Sequence, residues 1–282
     1  MHILITDSGV GGLSVCAYAE RFARTNGYRE PVRLTFANAA PANDYGYNSM
    51  PTHEAKIETF DRFLKNVTKR FAPDFMYIAC NTLSVLLPDT PKPRVPIKGI
   101  VETGVELILR ELDPRATAMI FGTQTTIDSG VYPRLLQSRG VESSRVVSQA
   151  CPGLADIISE DREGSKARGE VKRWVDTAIE KLHDAPPVVA CLACTHYGYR
   201  KNLFAGALAD AGTCAKVINP NESAVDDLFD AAGGKHRDAD VQFVTRYAIP
   251  PATIEALTFF LQDISPKTVA AMQNFVYAPD LF

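Results

Sequence analysis

Two cysteines in matching surroundings are the residues of this chain best suited to nucleophilic or proton-transfer chemistry. Each ends an apolar run and is followed by short polar side chains: Asn81 and Thr82 after Cys80, and Thr195 and His196 after Cys194. A thiol at a strand tip beside a helix start lies where the thiolate is favoured. A buried structural cysteine is the alternative for Cys80, and His196 suits a proton partner or an ordinary structural histidine equally well.

A glycine-rich loop, Asp7-Ser8-Gly9-Val10-Gly11-Gly12, follows the first apolar run and opens an amphipathic segment. Backbone N–H groups at such a strand-to-helix turn bind anions. The loop lacks the Gly-Lys-Ser/Thr ending of a phosphate-binding loop, and its third glycine is misplaced for a dinucleotide fingerprint, so both nucleotide interpretations are disfavoured. A tight turn that merely needs glycine is the other alternative, but it leaves Asp7 and Ser8 unexplained at the loop mouth.

The second half of the chain repeats this arrangement. Asp7 precedes Cys80, and Thr123 precedes Cys194, at nearly the same separation along the chain. All four residues lie at the carboxyl ends of predicted strands, where open α/β sheets bind their ligands. Two halves that meet face to face would therefore place both cysteines on one cleft.

Short runs rich in Val, Ile, Phe and Ala alternate with longer amphipathic segments, a pattern typical of βα units around parallel sheets. The predicted strands are 2–6, 33–37, 75–80, 95–101, 117–122, 144–150, 188–194 and 215–219. Helices are predicted, from apolar residues at three- and four-residue spacing, at 12–25, 52–70, 104–112, 127–139, 163–183, 200–211 and 221–231.

These elements predict an α/β fold of two similar parallel-sheet domains related by pseudo-twofold symmetry, with the active site in the cleft between them. We place the first domain at 1–95 plus 210–282 and the second at 96–209. The Pro-rich stretch 88–96 is the natural crossing between the halves.

Bulk composition excludes several classes of protein. The 282 residues carry a formal net charge of -3, so a protein that grips nucleic acid through a basic face is disfavoured. No apolar stretch is long enough to span a membrane, and the N-terminus lacks the basic flank and long apolar region of a signal peptide. We therefore expect a soluble cytoplasmic protein whose six cysteines are free thiols.

Neither a metal nor an organic cofactor is indicated by the residue pattern. The five histidines do not compose a metal site by spacing, and no lysine context marks a pyridoxal phosphate site. Cys191 and Cys194 have a Cys-x-x-Cys spacing. Residues three apart in one predicted strand point to opposite faces, however, which argues against a redox or zinc pair.

Several segments together resemble the glutamate racemases of the aspartate/glutamate racemase superfamily, over roughly residues 3–230 and in the same order. The most specific matches are 7–15 (Asp-Ser-Gly-Val-Gly-Gly-Leu-Ser-Val), 79–82 (Ala-Cys-Asn-Thr) and 193–197 (Ala-Cys-Thr-His-Tyr). The segment 121–129 is similar to the substrate loop of that family, and 44–46 (Asp-Tyr-Gly) partly resembles its Pro-Tyr-Gly segment.

The resemblance implies a cofactor-independent isomerase that inverts the α-carbon of an amino acid with two cysteine bases on opposite faces of the substrate. Cys80 and Cys194 would be these bases, and Asp7 and His196 would tune proton transfer on their respective sides. The implied substrate-binding residues are Asp7, Ser8, Tyr45, Gly46, Cys80, Asn81, Thr82, Thr123, Thr126, Cys194, Thr195 and His196. The implied product is D-glutamate for peptidoglycan, made in the cytoplasm for cell wall biogenesis and cell shape.

The chain also departs from the family pattern. Asp44 and Thr103 stand where proline is usual, the stretch 38–43 lacks the acidic-to-arginine pattern, and the tail from about Val241 matches poorly. These departures leave aspartate or another small acidic compound as alternative substrates. They also leave open a decarboxylase or isomerase on the same scaffold and a non-catalytic ligand-binding relative. The tail leaves a homodimer contact open.

Overall fold

Two parallel β-sheets form the framework of the protein in the computed structural model, which describes residues 1–26, 31–43, 45–182, 186–229 and 239–282. The strands are β1 His2–Asp7, β2 Arg33–Asn38, β3 Phe75–Ile78, β4 Ile97–Gly99, β5 Thr117–Gly122, β6 Val146–Ala150, β7 Val188–Ala193, β8 Ala215–Ile218, β9 Asp240–Thr245 and β10 Val276–Tyr277. The larger sheet has the order β10-β9-β2-β1-β3-β4, and the smaller sheet has the order β6-β5-β7-β8.

Helices cover both faces of each sheet, which is why the strands read as continuous apolar runs. They are α1 Leu13–Asn26, α2 His53–Phe71, α3 Asn81–Ser84, α4 Ile100–Glu111, α5 Gln124–Asp128, α6 Val131–Ser138, α7 Leu154–Glu160, α8 Ser165–Ile179, α9 Lys201–Asp210, α10 Pro220–Ser223, α11 Val225–Leu228, α12 Pro251–Leu261 and α13 Pro266–Gln273. No helix among the described residues is long and apolar enough to cross a lipid bilayer.

The core follows the alternation of side chains along the strands. In the larger sheet, Ile3 and Ile5 pack into one buried cluster while Leu4 packs into another on the opposite face. The smaller sheet divides in the same way, with Cys191 in the cluster on one face and Cys194 in the cluster on the other. These two cysteines therefore do not form a pair.

The predicted α/β fold of parallel sheets is confirmed, and the eight predicted strands correspond to β1–β8 within two residues at each end. Strands β1–β4 and β5–β8 also share one spatial order, in which the first and third strands of each set are central. This shared order agrees with the internal repeat in the sequence. The pseudo-twofold relation itself stays a prediction, because strand order does not define a rotation.

Several predicted helices have different bounds. The segment 127–139 is divided into α5 and α6 at Gly130, which has a left-handed φ of 61°. Gly140, with a φ of 88°, lies just past α6, as a helix-ending glycine does. The prediction at 221–231 yields α10 and α11, and its end lies outside the described residues.

The crossing between the sheets is not where the proline-rich stretch suggested. The strand that follows 88–96 is β4, which pairs with β3 in the larger sheet. The chain reaches the smaller sheet only after α4, so the stretch 88–96 joins two strands of the same sheet. The predicted domain boundaries stay a prediction. They assign β4 to the second domain and β8 to the first, whereas β4 pairs within the larger sheet and β8 within the smaller one.

The C-terminal tail, whose role the sequence left open, completes the larger sheet. β9 pairs with β2, and β10 pairs with β9. Phe243 on β9 is 1% exposed and lies against the rings of Phe36 and Phe275, at centroid distances of 5.3 and 6.4 Å. The tail is therefore part of the core of this half of the protein.

Phe243→Ala should lower the free energy of unfolding by about 3–5 kcal/mol, because it leaves a cavity beneath an integral strand. Chemical denaturation followed by circular dichroism would measure this loss. Phe259→Ala is the matched control, since this tail phenylalanine is 48% exposed and should cost less than about 1 kcal/mol. Equal and small losses for the two variants would mean that the tail does not contribute to the core.

Candidate active site

A cavity of about 340 Å³ lies between the carboxyl ends of the two sheets. It brings together most of the residues singled out from the sequence: Asp7, Ser8, Gly46, Cys80, Asn81, Thr82, Thr123, Cys194, Thr195 and His196. Two others do not line it: Tyr45 is 43% exposed at the surface, and Thr126 is buried behind Thr123. Asp44 lies outside the described residues.

Cys80 follows β3 and is the N-cap residue of α3. Its Sγ lies 3.1 Å from the Ser8 hydroxyl and accepts the backbone N–H of Leu83 at 3.4 Å. Burial raises the pKa of the Cys80 thiol well above its ordinary value, the negative charge of Asp7 adds to this, and the hydrogen bonds from Ser8 and Leu83 oppose it. Desolvation thus acts against the thiolate that the helix start was expected to favour, because a helix of one turn offsets little of it.

Cys194 follows β7 on the opposite half of the cleft. Its Sγ lies 3.9 Å from Nδ1 of His196, and burial raises the pKa of its thiol to about 12. Burial also lowers the pKa of His196, against the opposing effect of the Asp7 and Asp156 charges. Both shifts keep the proton on sulfur, so Cys194 and His196 form a neutral thiol–imidazole pair.

Asp7 joins the two halves of the site. Its carboxylate accepts the backbone N–H of Gly12 and, at 3.0 Å, the hydroxyl of Thr195 from the other sheet. A Cβ atom at Gly11 would lie 2.5 Å from both His196 Nδ1 and Thr195 Oγ1. The glycine-rich loop is therefore explained by close packing against the other half of the cleft rather than by nucleotide binding.

Hydroxyl and amide groups occupy the other side of the cavity. The hydroxyls of Thr82 and Thr123 lie 2.9 Å apart, which is another hydrogen bond between the halves. Asn81 accepts the hydroxyl proton of Tyr132 at 2.7 Å, but its buried Nδ2 has no acceptor among the described residues. A buried amide donor of this kind needs an acceptor, and a carboxylate in the cavity would supply one.

The structure adds cavity residues that the sequence did not reveal. They include Asp156, Ser159 and Glu160 of α7, Tyr47, Asn48 and Ser49 after β2, and Tyr247, Ile249, Pro250 and Thr253 of the tail. The four-residue spacing of Asp156 and Glu160, opposite the apolar residues of α7, was a signal for one polar helix face. The tail residues carry no such signal.

The charges around the cavity are acidic. Asp7, Asp156 and Glu160 line it, whereas none of the described lining residues is a lysine or arginine. A bound carboxylate would therefore depend on hydroxyl and amide donors. Nowhere in the described part of the chain do three or more His, Cys, Asp or Glu side chains form a group that could hold a metal ion.

Thr103, one of the departures from the family pattern, does not line the cavity. It is buried in α4, where its hydroxyl meets the Tyr77 hydroxyl at 2.8 Å and donates to Asp227. Asp227 also pairs with Lys98. This substitution therefore bears on contacts beneath the site rather than on the cavity wall.

Comparisons with known proteins agree with this geometry. Residues 29–228 match the family model described as Asp/Glu/Hydantoin racemase. The chain is 31% identical over 199 residues to a glutamate racemase from Aquifex aeolicus, which covers 70% of this chain and 71% of that protein. It is 29% identical over 242 residues to a glutamate racemase from Nitratiruptor. This match covers 84% of this chain and 87% of that protein.

Solved structures show the same fold. A glutamate racemase isoform from Bacillus anthracis superposes with a TM-score of 0.73 at 20% identity, and covers 92% of this chain and 93% of its own. A glutamate racemase from Francisella tularensis in complex with D-glutamate superposes with a TM-score of 0.70 at 21% identity, with coverage of 92% and 93%.

The raised thiol pKa values predict slow alkylation of Cys80 and Cys194 in the ligand-free protein at neutral pH. Because only the thiolate reacts, each rate should rise about tenfold per pH unit from pH 7 to 9, with no plateau. Timed iodoacetamide labelling followed by peptide mass spectrometry measures both sites. Poor access would lower the rates without changing this slope, whereas a plateau near pH 7 would show that the thiolates are already formed.

Proposed function

The chain belongs to the Asp/Glu/Hydantoin racemase family, and from this premise we propose that it is a cofactor-independent glutamate racemase. The observation that carries the proposal is the convergence of Cys80 and Cys194 on one cavity from the two sheets. The names of its relatives support glutamate as the substrate, and the Francisella tularensis structure holds D-glutamate.

In this mechanism the substrate α-carbon lies between the two sulfur atoms. One thiolate takes the α-proton, and the electron pair of the broken C–H bond moves into the α-carboxylate. The opposing thiol then gives its proton to the other face of the planar carbanion. The first cysteine ends as a thiol and the second as a thiolate, so the two directions of reaction use the two cysteines in opposite roles.

Burial raises the pKa of both thiols, so the proposed mechanism needs an interaction that favours one thiolate. The ammonium group of an amino acid brings a positive charge into a cavity that is otherwise acidic, which lowers the pKa of a nearby thiol. His196 is placed to receive the proton of Cys194. On the other side, the Ser8 hydroxyl is placed to donate a hydrogen bond to the Cys80 thiolate.

Substrate binding relies on short neutral donors. Ser8, Asn81, Thr82, Thr123 and Thr195 offer hydroxyl or amide protons to the carboxylates, and Asp7 offers an acceptor to the ammonium group. The unpartnered Nδ2 of Asn81 supports this assignment. Donors held in place before binding also stabilise the charge that develops on the α-carboxylate as the proton leaves.

Following the family, we propose that the D-glutamate product serves peptidoglycan synthesis and that the protein works in the cytoplasm. The substrate is a small molecule, and the proposal involves no nucleic acid, membrane or cofactor. A homodimer stays a prediction, and analytical ultracentrifugation of the whole protein would test it.

Replacement of either cysteine should strongly reduce racemisation. Cys80→Ser and Cys194→Ser should each lower kcat/KM for glutamate by about 10²–10⁴-fold, because each removes one proton-transfer group. The measurement is proton NMR of L-glutamate in heavy water, with chiral chromatography of the product. Cys214→Ser is the matched control, since this cysteine is exposed and lies outside the cavity.

Other outcomes would select other functions. Turnover that survives the loss of one cysteine would contradict the two-base mechanism and favour a lyase or isomerase with one-sided protonation. Exchange with aspartate but not glutamate would change the substrate. Binding of glutamate without any exchange would indicate a non-catalytic relative.

A further inference from the structure

Tyr247 is a cavity residue that the two-cysteine mechanism does not use. It belongs to the tail, two residues beyond the end of β9, and it lines the same cavity as the two cysteines. In the larger sheet the strands run in the order β9-β2-β1-β3. Neighbouring strands are about 4.8 Å apart, so β9 lies roughly 14 Å from the strand that carries Cys80. Tyr247 therefore enters the cavity from the far side of the larger sheet.

The side chain of Tyr247 is held in one position by Asn38. The Asn38 Oδ1 atom accepts the backbone N–H of Ala40 at 2.9 Å, which fixes the orientation of the amide. The Asn38 Nδ2 group therefore faces Tyr247 and donates to its hydroxyl oxygen at 3.0 Å. Asn38 is fully buried at the end of β2, beside Asp7 at the end of β1. The tyrosine hydroxyl is thus held at the end of β2, which is two strands away from the strand that precedes Cys80.

The backbone of Tyr247 is fixed as well. The hydroxyl of Thr245, which is fully buried, donates to the Tyr247 carbonyl oxygen at 3.0 Å. Ile249 and Pro250 follow in the same segment and line the cavity with apolar surface. The tail side of the cavity is therefore preorganised and combines the polar groups of Tyr247 and Thr253 with apolar surface, a usual composition of a small-molecule site.

The hydroxyl of Tyr247 is left with a proton to donate. Its oxygen already accepts from Asn38, and in the described part of the chain no group accepts its O–H. Burial raises the pKa of Tyr247, so the hydroxyl stays protonated at neutral pH. A half-buried O–H of this kind favours a hydrogen-bond acceptor in the cavity. No lysine or arginine among the described lining residues competes with it for a bound carboxylate.

We infer that Tyr247 is a specificity-determining residue that donates a hydrogen bond to the side-chain carboxylate of the amino acid substrate. The α-carbon must lie between Cys80 and Cys194, so a group that enters from β9 meets the far end of the substrate rather than its reacting end. Ile249 and Pro250 then pack against the side-chain methylene groups. The inference rests on the proposed racemase function and assigns its preference for an acidic side chain to the tail.

Tyr247→Phe tests this inference because it removes only the hydroxyl. KM for L-glutamate should rise roughly tenfold to a hundredfold, as expected when a hydrogen bond to a charged group is lost, while kcat changes little. L-Norvaline has a methyl group in place of the distal carboxylate, and its inhibition constant should stay the same. Tyr277→Phe is the matched control, since this tail tyrosine is 62% exposed and lies outside the cavity.

Asn38→Ala provides a second, independent variant. If Asn38 acts by orienting the tyrosine hydroxyl, Asn38→Ala should also raise KM for L-glutamate. The rise in KM for the double variant should then be smaller than the product of the two single rises. Equal effects of Tyr247→Phe on the binding of glutamate and norvaline would overturn the inference. A fall in kcat with unchanged KM would also overturn it. Neither outcome would contradict the proposed racemase function. Absence of α-proton exchange in the unchanged protein would instead overturn the racemase proposal, and this inference with it.

Discussion

One buried carboxylate, that of Asp7, connects the parts of the candidate active site. It ends β1 in the larger sheet, accepts the N–H of Gly12 and accepts the hydroxyl of Thr195 from the smaller sheet. Because Thr195 lies between Cys194 and His196, this contact also sets where the second thiol stands relative to the first. Gly11 must lack a side chain for the same reason, since the loop and His196 come too close to admit one. The cleft is thus held together by residues to which the proposed mechanism also assigns chemical roles.

Burial of the two thiols has two opposite effects on the proposed reaction. Closing two halves over the thiols excludes water, which protects a carbanion from stray protonation, but it also stabilises the neutral thiols over the thiolates. An acidic cavity with no cationic lining among the described residues makes the empty site still less favourable to a thiolate. In the proposed mechanism the substrate ammonium supplies a local positive charge beside a thiol, and the two substrate carboxylates rely on neutral hydroxyl and amide donors.

The sequence predicted the central parts of the protein because those parts follow local rules. Apolar runs buried on both faces revealed β1–β8, and polar residues at their carboxyl ends revealed Asp7, Cys80, Thr123 and Cys194. The direction of the Cys80 pKa was missed, because desolvation depends on what the other half of the chain covers. The short helix α7 was missed for a related reason. Its polar face matters only because the fold directs it into the cavity.

The position of the C-terminal tail could not be predicted from the sequence, and the tail has a different role from the central strands. Nothing in the tail sequence indicates that β9 extends the larger sheet, since that pairing joins residues about two hundred positions apart. Phe260 in α12 stacks on Tyr199 at 5.0 Å, and the Tyr199 hydroxyl donates to the Gly11 carbonyl at 3.1 Å. The tail thereby supports the glycine-rich loop from behind while Tyr247 enters the cavity from the side. Proton transfer depends on the central strands, which both halves supply, whereas the choice of substrate depends on a segment that only one half carries. Such a division would allow the tail to change without loss of the two-thiol chemistry.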